Sequence, residues 1–584
     1  MRAAVLVGLV LLTGAALVVR LTNLDFGLPQ AHELDLHPYL LSLEWLRTGA
    51  PADPAAEAHQ MYPLLVPYLA DLLPAVPPAA AGSSLFEHLA AASAALVQLR
   101  GTVAVLSALV VPATWLLARR FLTPGWALLA AALAGSSLLS LVFSQQARPH
   151  AITATTYTLA VLGAMAARRR GDLCGWVFAG AGAALAIGTL QSGVAVLFSL
   201  AAAWLLRARS GGRWLDPLGA IPLLLVAGGA LWFYPFSTLG GMSEQAGSTF
   251  VLSGHLLILD DFRGHGFVVL LRTLSWYDPA LLATALVGLV AAGIALARGV
   301  RPRSRLERDE LWIALAFALP YVLVIGLYDR TYERFASPLL PFLSLLGAWG
   351  LSVSTRWVGA RSHPGAARIV GPILALAALA LPTYAAIRLA QVRGAPHTTE
   401  LAARWIEEHV PAGSARIGLT PNLDLPLVRQ AEDLVFQRRS TRERYDLIWS
   451  RYQALVGVDA IDAPRYDLGW PGAQEAKAVQ RLMEDPQGLL RSAGADLFVL
   501  EVFGPDRPPF TAAAMRGRLV EGARRLARFT PDSRDDYSEH PFDYQDPTVR
   551  PHPPAFLPRL LQARRTGPVI EIYALGEEPS AGQR

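Results

Sequence analysis

Cysteine and lysine are almost absent from this chain. Cys174 is the only cysteine and Lys477 the only lysine among its 584 residues. A single cysteine excludes a disulfide within the chain and any metal site built from several thiolates. The net charge of +5 is therefore carried by arginine. The arginines lie mostly in loops beside apolar runs, which argues against a nucleic-acid-binding surface.

Charge of either sign is scarce as well. Charged residues make up 17% of the chain and hydrophobic residues 53%, with a mean hydropathy of +0.35. This composition excludes an ordinary soluble protein. The apolar residues come in repeated runs long enough to cross about 30 Å of hydrocarbon as helices. We therefore predict a polytopic α-helical membrane protein.

Eleven transmembrane spans are predicted from these runs. The first is interpreted as a span and not as a cleaved signal peptide, because many spans follow it and no clear small-residue cleavage site precedes Arg20. The stretch 62–75 is short, rich in proline and carries Asp71, so we expect a helix lying at the membrane interface. The predicted spans are 3–19, 101–118, 125–143, 150–167, 174–190, 192–206, 217–236, 279–298, 311–328, 335–352 and 368–389.

Arginine is distributed unequally between the two sides of this topology. The loops on the side of the N-terminus hold seventeen arginines, whereas the opposite loops up to residue 334 hold eight over more residues. The positive-inside rule then places the N-terminus in the cytoplasm. We expect the protein to lie in a bacterial inner or plasma membrane. Counting 62–75 as a span would move the arginine clusters outside.

Three segments fall outside the membrane in this topology: 20–100, 237–278 and the region after about residue 390. We predict a transmembrane module over 1–392 and a soluble, extracytoplasmic α/β domain over 393–584. That domain opens with a capped amphipathic helix at Thr398-Thr399-Glu400, followed by short strands at 415–419, 497–502 and 569–575. In the segment 237–278, Asp260, Asp261 and His265 are either acceptor contacts or plain solvated residues.

Acidic, basic and polar residues from several segments meet at the outer membrane surface. Carboxylates so close to a bilayer are costly unless they are solvated or used. Each residue alone has an ordinary explanation: a solvated loop charge, an arginine anchoring a helix end, a polar cap or a turn. Their common side of the membrane favours a site. The residues are Glu33, Asp35, Arg148, His150, Gln191, Arg330, Tyr332 and Arg334.

The first outer loop has motifs that resemble a known superfamily. Arg20-Leu21 and Phe26-Gly27-Leu28-Pro29 follow the first span, then come the acidic pair, a helix over 39–49 and Tyr62-Pro63. Arg100-Gly101 begins the next span. Together with 330–334, Thr398 to Ile406 and the closing 567–573, these motifs resemble the C-type (GT-C) membrane glycosyltransferases over about 1–410. Within that superfamily, the chain most resembles bacterial members that are similar to protein O-mannosyltransferases and the aminoarabinose transferase of lipid A (family 39-like).

The resemblance implies a transferase that uses a polyprenyl-phosphate-linked sugar as donor. It places the catalytic base on Asp35, with Glu33 a close second, and the lipid phosphate on Arg330 and Arg334 with Tyr332 between them. Such a reaction normally inverts the anomeric centre. The remaining candidates for substrate contacts are Tyr62, Arg148, His150 and Gln191. The partners implied are the lipid-linked donor, membrane lipids and a lipid, glycan or protein acceptor, with no nucleic acid.

Three positions depart from the superfamily pattern. His150 stands where relatives usually have Asp, Gln191 where many have Lys, and His397-Thr398 where Asp-Thr is common. A histidine cannot act as a second carboxylate, so substrate choice or activity could differ. No cofactor is required by the sequence, but Asp35, Glu33 and His150 could supply ligands to a divalent cation.

Three other functions are weighed against the transferase. A degenerate relative could bind lipid-linked sugar or act as a scaffold. A transporter would have polar residues at mid-depth and broken spans in matching halves, whereas here the polar groups cluster at one surface. A receptor would not need carboxylates and arginines gathered from several loops.

Overall fold

The protein is described by a computed structural model that covers most of the chain. The described residues are 2–29, 36–48, 63–74, 79–80, 82–211, 217–234, 249–252, 255–300, 302, 304–362, 364–420, 423, 425–433, 448–469, 481, 484–502, 516–519, 521–532 and 555–575.

Helices make up most of the first two thirds of the chain and also occur in its last third. They are α1 Arg2–Leu21, α2 Leu36–Thr48, α3 Leu65–Asp71, α4 Leu85–Ala108, α5 Val110–Ala118, α6 Pro124–Ser136, α7 Leu138–Ser144, α8 His150–Arg170, α9 Leu173–Thr189, α10 Leu197–Ala208, α11 Ala220–Phe233, α12 His265–Tyr277, α13 Pro279–Ala297, α14 Arg305–Leu327, α15 Leu340–Arg361, α16 Pro364–Arg393, α17 Thr398–His409, α18 Ile448–Val456, α19 Pro486–Ser492 and α20 Phe556–Leu560.

The prediction of a polytopic α-helical membrane protein is confirmed. Among the described residues, seven helices are long and apolar enough to cross a membrane, or eight if the bent pair α6 and α7 is one span. Every one of the eleven predicted spans falls on a helix. The helices α9 and α11 are apolar but shorter, and the threonine-rich α8 is not among the seven. The exact number of crossings therefore stays a prediction.

The helix that contains the second predicted span begins before that span. We expected it to start at Arg100-Gly101, but α4 begins at Leu85 and continues past Leu109 into α5. A capping box starts it: the backbone N–H of Glu87 donates to Oγ of Ser84, and the Glu87 carboxylate accepts from the Ser84 N–H at 2.7 Å. The helix starts before the predicted span because this cap precedes the apolar run. Where the crossing itself begins stays a prediction.

Helices α8 and α9 pack unusually closely. A Cβ atom at Gly163 would lie 2.7 Å from Cα of Ala179, and one at Gly182 would lie 2.9 Å from Cα of Ala160. The two glycines therefore let the backbones approach to a distance that no larger side chain would allow.

A buried carboxylate stabilises the bend between α6 and α7. The two helices meet at 49°. Asp278, which precedes α13, accepts from Oγ of Ser137 at 2.7 Å and from the backbone N–H groups of Leu138 and Leu139 at 2.7 and 3.3 Å. These N–H groups belong to the first turn of α7 and have no partner inside that helix, so Asp278 caps α7 from another helix.

Arginine-rich loops meet at one end of the bundle. Asp309 and Glu310 near the start of α14 are buried, and Arg168 at the end of α8 contacts Asp309 at 2.5 Å. Glu310 contacts Arg169 at 3.1 Å and Arg120 at 3.6 Å. The arginine clusters that the topology assigns to one side of the membrane therefore lie together, and His150, at the other end of α8, lies at the opposite end.

The last third of the chain contains a six-stranded mixed sheet. Before it, β1 Thr249–Leu252 and β2 His255–Ile258 form an antiparallel hairpin in the segment before α12. The sheet has the order β4-β5-β3-β6-β8-β7, parallel from β4 to β6 and antiparallel between β6 and β8 and between β8 and β7. Its strands are β3 Arg416–Leu419, β4 Val428–Arg429, β5 Arg465–Gly469, β6 Leu497–Val502, β7 Arg524–Phe529 and β8 Val569–Ala574.

The predicted strands 415–419, 497–502 and 569–575 are confirmed as β3, β6 and β8, and the C-terminal region is α/β as expected. The helix predicted at Thr398 is present as α17, but its cap differs. His397 is the N-cap, and its side chain accepts from the backbone N–H of Thr399 at 3.3 Å. The division of the chain at residue 392 stays a prediction.

Candidate functional site

His150 and Arg334 form a direct pair at one end of the helical bundle. His150 is the first residue of α8, where Pro149 supplies a backbone φ suited to a helix start. Arg334 lies in the 3-10 helix Glu333–Leu339 between α14 and α15. The Nε–H of Arg334 donates to Nε2 of His150 at 3.2 Å. The structure thus brings together two candidates that lie 184 positions apart in the chain.

Aromatic rings surround this pair. The guanidinium carbon of Arg334 lies 4.2 Å from the ring centroid of Tyr332 and 5.6 Å from that of Phe335. The Phe335 ring also stacks on His150, with centroids 6.2 Å apart, and Phe143 approaches the other side of the imidazole at 6.5 Å. Arg334 is therefore held by π faces and by one nitrogen of His150, which orients its guanidinium plane.

Arg330 belongs to the same connection but has an acidic partner. Its Nε donates to Oδ2 of Asp261 at 2.6 Å. The neighbouring Asp329 is buried and accepts through Oδ1 from the backbone N–H groups of His265 and Arg263, at 3.0 and 3.3 Å. The segment 328–334 is therefore fastened onto residues 261–265. Asp261 fixes the plane of the Arg330 side chain and offsets part of its charge.

The turn at Gln191 connects to the same region through hydroxyl groups. Gln191 begins a 3-10 turn, Gln191–Val196, and the next residue, Ser192, lies with its Oγ 2.8 Å from the Tyr157 hydroxyl. The Tyr157 ring meets that of Tyr321 edge to face at 6.4 Å. The Tyr321 hydroxyl donates to the backbone O of Phe335 at 3.0 Å, so the turn and the Arg334 segment share one network.

Sequence reasoning missed Tyr157, Tyr321 and Phe335. Each lies in or beside an apolar run, where an aromatic residue is normally part of the core. Tyr157 is seven positions after His150 and therefore lies on the same side of α8, two turns further on. That spacing was the one available signal.

The first loop is anchored beside the turn that carries Arg148. The Phe26 ring lies between two buried arginines, 4.3 Å from the guanidinium carbon of Arg100 and 4.1 Å from that of Arg393. Arg393 also donates to Oε1 of Gln145. The Gln145 amide donates to the backbone O of Val19, Arg20 and Thr22. The end of α1 is thus tied to the residues 145–149 that lead into α8.

Arg148 lies in that turn. Its backbone N–H donates to O of Gln146 at 2.8 Å, and its side chain is buried. Glu33, Asp35 and Tyr62 lie outside the described residues. The base assignment and the Tyr62 contact therefore stay predictions. The described residues on either side of the acidic pair are Pro29 and Leu36, the start of α2.

A metal site is not evident in the described part of the chain, where no group of three or more His, Cys, Asp or Glu side chains could hold an ion. His150 uses its Nε2 to accept from Arg334, so in this arrangement its Nδ1 carries the ring hydrogen and neither nitrogen offers a lone pair to a metal ion.

Comparison with known proteins gives structural matches only, since neither a family model nor a curated protein matches the chain. One similar structure is the archaeal oligosaccharyltransferase AglB from Archaeoglobus fulgidus in complex with an inhibitory peptide and a dolichol-phosphate. The identity is 14% over 91% of this chain and 73% of that one, with a TM-score of 0.46.

A second similar structure is ArnT from Cupriavidus metallidurans bound to undecaprenyl phosphate, with 16% identity over 89% of this chain and 96% of that one, and a TM-score of 0.40. The apo state of the same protein gives 14% identity and a TM-score of 0.43. Likeness at this level does not assign an activity to this chain.

Proposed function

We propose that this protein is an integral-membrane glycosyltransferase. It moves a sugar from a polyprenyl-phosphate-linked donor to an acceptor on the extracytoplasmic face. The observation that carries the proposal is the pairing of Arg334 with His150. It presents an oriented cation at a bundle end, and the arginine asymmetry predicts this end to face away from the cytoplasm. An arginine held in this way suits a phosphate, because its planar fork matches two phosphate oxygens.

The reaction follows from these groups. A loop carboxylate, which we assign to Asp35 with Glu33 as the alternative, takes the proton from an acceptor hydroxyl. The oxygen attacks the anomeric carbon while the bond from that carbon to the phosphate oxygen breaks. The electron pair leaves with the polyprenyl phosphate. Attack opposite to the leaving group inverts the anomeric centre.

The arginines act on the leaving group. Negative charge grows on the phosphate as the bond breaks, so a fixed cation lowers the energy of the transition state more than that of the bound donor. We assign this role first to Arg334, whose plane His150 and Tyr332 orient. Arg330 is the second contact, at reduced net charge because Asp261 pairs with it.

The remaining site residues are assigned to substrate contacts. Arg148 and His150 lie next to the proposed phosphate position. Gln191 lies next to Ser192, which the hydroxyl network joins to Phe335. The region after residue 392, with its sheet, lies on the acceptor side in this proposal, and the N-terminus lies in the cytoplasm.

A sugar-lipid-binding relative without catalysis is the second candidate. The observation that favours it is the pairing itself: a histidine accepts from Arg334 at the position where transferase relatives usually have an aspartate. A transporter is less favoured. It would have broken spans in matching halves, and among the described residues one helix pair is bent.

Profiling of lipid-linked sugars and glycans in a deletion strain tests the proposal. We expect a polyprenyl-linked sugar to accumulate and one glycan to lose a residue. Wild type restores the glycan and Asp35→Asn does not, although it reaches the membrane at the same level. Glu33→Gln is the matched control and restores the glycan at least in part.

Two outcomes would contradict the assignment. Full rescue by Asp35→Asn, together with loss of rescue in Glu33→Gln, would move the base to Glu33. An unchanged profile in the deletion strain would refute the transferase and favour the binding protein.

A further inference from the structure

Helix α2 begins directly after the proposed base. Its first residue is Leu36, which follows the proposed base, Asp35, directly in the chain. A helix of 13 residues is a rigid rod about 20 Å long. A change in the contacts along α2 therefore rotates or shifts the N-terminal end of the helix. What holds α2 in place is a question about the proposed site.

One side of α2 is held by its neighbours in the first loop. Tyr39, Leu40 and Leu43 are almost completely buried, at 1, 1 and 0% exposure. Near the other end, Nε of Arg47 donates to Oδ1 of Asp71 at 3.3 Å, and Nη2 of Arg47 donates to Oε1 of Gln98 at 2.7 Å. The apolar face and the last turn of the helix are thus fixed to α3 and α4.

The C-terminal region contacts α2 at Glu44. The Tyr452 hydroxyl on α18 donates to Oε1 of Glu44 at 2.8 Å, and Nη2 of Arg451 lies 3.5 Å from Oε2 of the same carboxylate. Tyr452 is 6% exposed, and burial together with the Glu44 charge raises the pKa of its hydroxyl. The phenol therefore remains a donor over the physiological pH range.

Further contacts seat α18 on the first loop. The Tyr452 ring stacks on His88 of α4 with centroids 5.7 Å apart and an angle of 18°. Trp449 meets Phe86 edge to face at 6.4 Å. These rings lie near the capped start of α4, so one face of α18 covers α4 and reaches α2.

The same helix, α18, is also fixed to the sheet. Trp449 donates from Nε1 to the backbone O of Leu427 at 2.7 Å. Gln453 donates to the same oxygen at 2.9 Å and accepts from the backbone N–H of Arg429 in β4 at 2.9 Å. Since β4 pairs with β5, a rigid connection runs from the sheet through α18 to α2.

We propose that Glu44 and Tyr452 are positioning residues, through which the C-terminal α/β region holds α2 and with it the segment that carries the base. The catalytic consequence of this contact rests on the proposed function. The contact between Glu44 and Tyr452 does not depend on that function. Neither residue touches the reacting atoms in this proposal. They act by limiting the angles that α2 can adopt.

The first test measures, without any substrate, whether the contact between Glu44 and Tyr452 (the clamp) holds α2 in place. Amide hydrogen exchange of the full chain in detergent is compared between wild type and Tyr452→Phe, which keeps the ring stacked on His88 and loses the donor. We expect exchange in peptides covering 36–48 to rise by about threefold or more, with α3 unchanged. Tyr466→Phe, a buried tyrosine on β5 that lies in the sheet core, is the matched control. Unchanged exchange in α2 would overturn the proposal.

The second test measures the catalytic consequence, with the lipid-linked sugar isolated from the deletion strain as donor. A displacement of about 1 Å can cost about 100-fold in rate, so we expect kcat to fall by about 10-fold to 100-fold in Tyr452→Phe and Glu44→Leu. The donor KM should change less than twofold. Glu44→Gln keeps an oxygen that can accept from Tyr452 and should retain most of the rate. The double variant Glu44→Leu/Tyr452→Phe should be no slower than either single one.

The outcomes separate the two proposals. A faster-exchanging α2 with an unchanged kcat overturns the positioning role. If wild type transfers nothing and the exchange difference persists, the proposed function fails while the clamp between Glu44 and Tyr452 is supported.

Discussion

The Nε–H of Arg334 donates to Nε2 of His150 across 3.2 Å. An arginine N–H can donate only to a ring nitrogen that carries a lone pair, so this contact requires the neutral imidazole with its hydrogen on Nδ1. His150 in this state adds no positive charge to the site. It holds the arginine in place through an uncharged acceptor.

The guanidinium plane of Arg334 predicts a strict requirement for arginine. In Arg334→Lys the charge stays, but the ammonium cannot present two parallel N–H groups or keep the stacked geometry over Tyr332. We expect kcat for transfer to fall by about 100-fold. The measurement is transfer of the sugar from its polyprenyl phosphate by purified protein. The matched control is Arg330→Lys, for which we expect a smaller loss because Asp261 already pairs with Arg330. Equal losses in both variants would contradict the assignment of the main phosphate contact to Arg334.

The acceptor nitrogen of His150 predicts opposite results for two substitutions. His150→Asp restores the residue usual in relatives but places a carboxylate beside Arg334, so the anionic donor loses part of its attraction. We expect the KM for the donor to rise by about tenfold, which corresponds to about 1.4 kcal/mol. His150→Asn keeps an uncharged acceptor and should change this KM by less than threefold. A lower KM in His150→Asp would indicate that the histidine weakens donor binding.

The buried cap at Asp278 predicts a large effect on stability. Asp278→Ala leaves the Leu138 and Leu139 N–H groups and the Ser137 hydroxyl without their charged acceptor. We expect the free energy of unfolding to fall by about 2–4 kcal/mol. Thermal unfolding in detergent measures this effect. Asp172→Ala, which removes the exposed cap of α9, is the control and should lower stability clearly less. Similar costs at both positions would rule out the bracing of the α6 and α7 bend by Asp278.

Asp433 predicts a pH dependence of stability outside the membrane helices. Burial, and next the charge of Asp467, raises the pKa of this carboxyl to about 6. Its pKa in the unfolded chain is near the ordinary value, so the folded state binds more protons between about pH 4 and 6. The contribution of this group to stability is therefore greatest in acid and is lost as the pH rises toward about 6.

Thermal unfolding between pH 4 and 7 checks this sign. In Asp433→Asn the side-chain oxygen can still accept from the Leu468 N–H, a contact of 2.9 Å in the structure. We expect this variant to lose the pH-dependent decline and to be more stable than wild type at pH 7. Asp459→Asn, at an almost fully exposed carboxylate, is the control. A steeper decline in Asp433→Asn would contradict the raised pKa.

Periodicity and length were enough to find the helices that cross or enter the membrane. A run of apolar residues has one stable state in hydrocarbon, because each backbone group must be hydrogen-bonded within the segment. All eleven predicted spans accordingly lie on helices. The first turns of α4 lay outside the predicted span, since the Ser84 capping box lies in polar sequence that the apolar run does not mark. The strands β4, β5 and β7 were missed because β4 has only two residues, and β5 and β7 carry several charged residues, whereas the predicted strands β6 and β8 are almost continuous apolar runs.

The candidate site, too, could be predicted from the sequence only in part. The sequence supplied the residue types and the side of the membrane on which Arg148, His150, Gln191, Arg330 and Arg334 are expected to lie. It could not supply their partners. The choice of His150 for Arg334 and of Asp261 for Arg330 depends on which loops the packed helices bring together.

What the sequence by itself determined is the class of this protein: a helical membrane chain with a mixed α/β region at its end. Those properties follow from local composition, because hydrocarbon and water select residues one segment at a time. Only the tertiary structure decided that Tyr157, Tyr321 and Phe335 join the candidate site and that Tyr452 reaches Glu44 from 408 positions away. Such contacts depend on the angles at which helices pack, and these angles are set by the sum of many small side-chain contacts that no single segment contains.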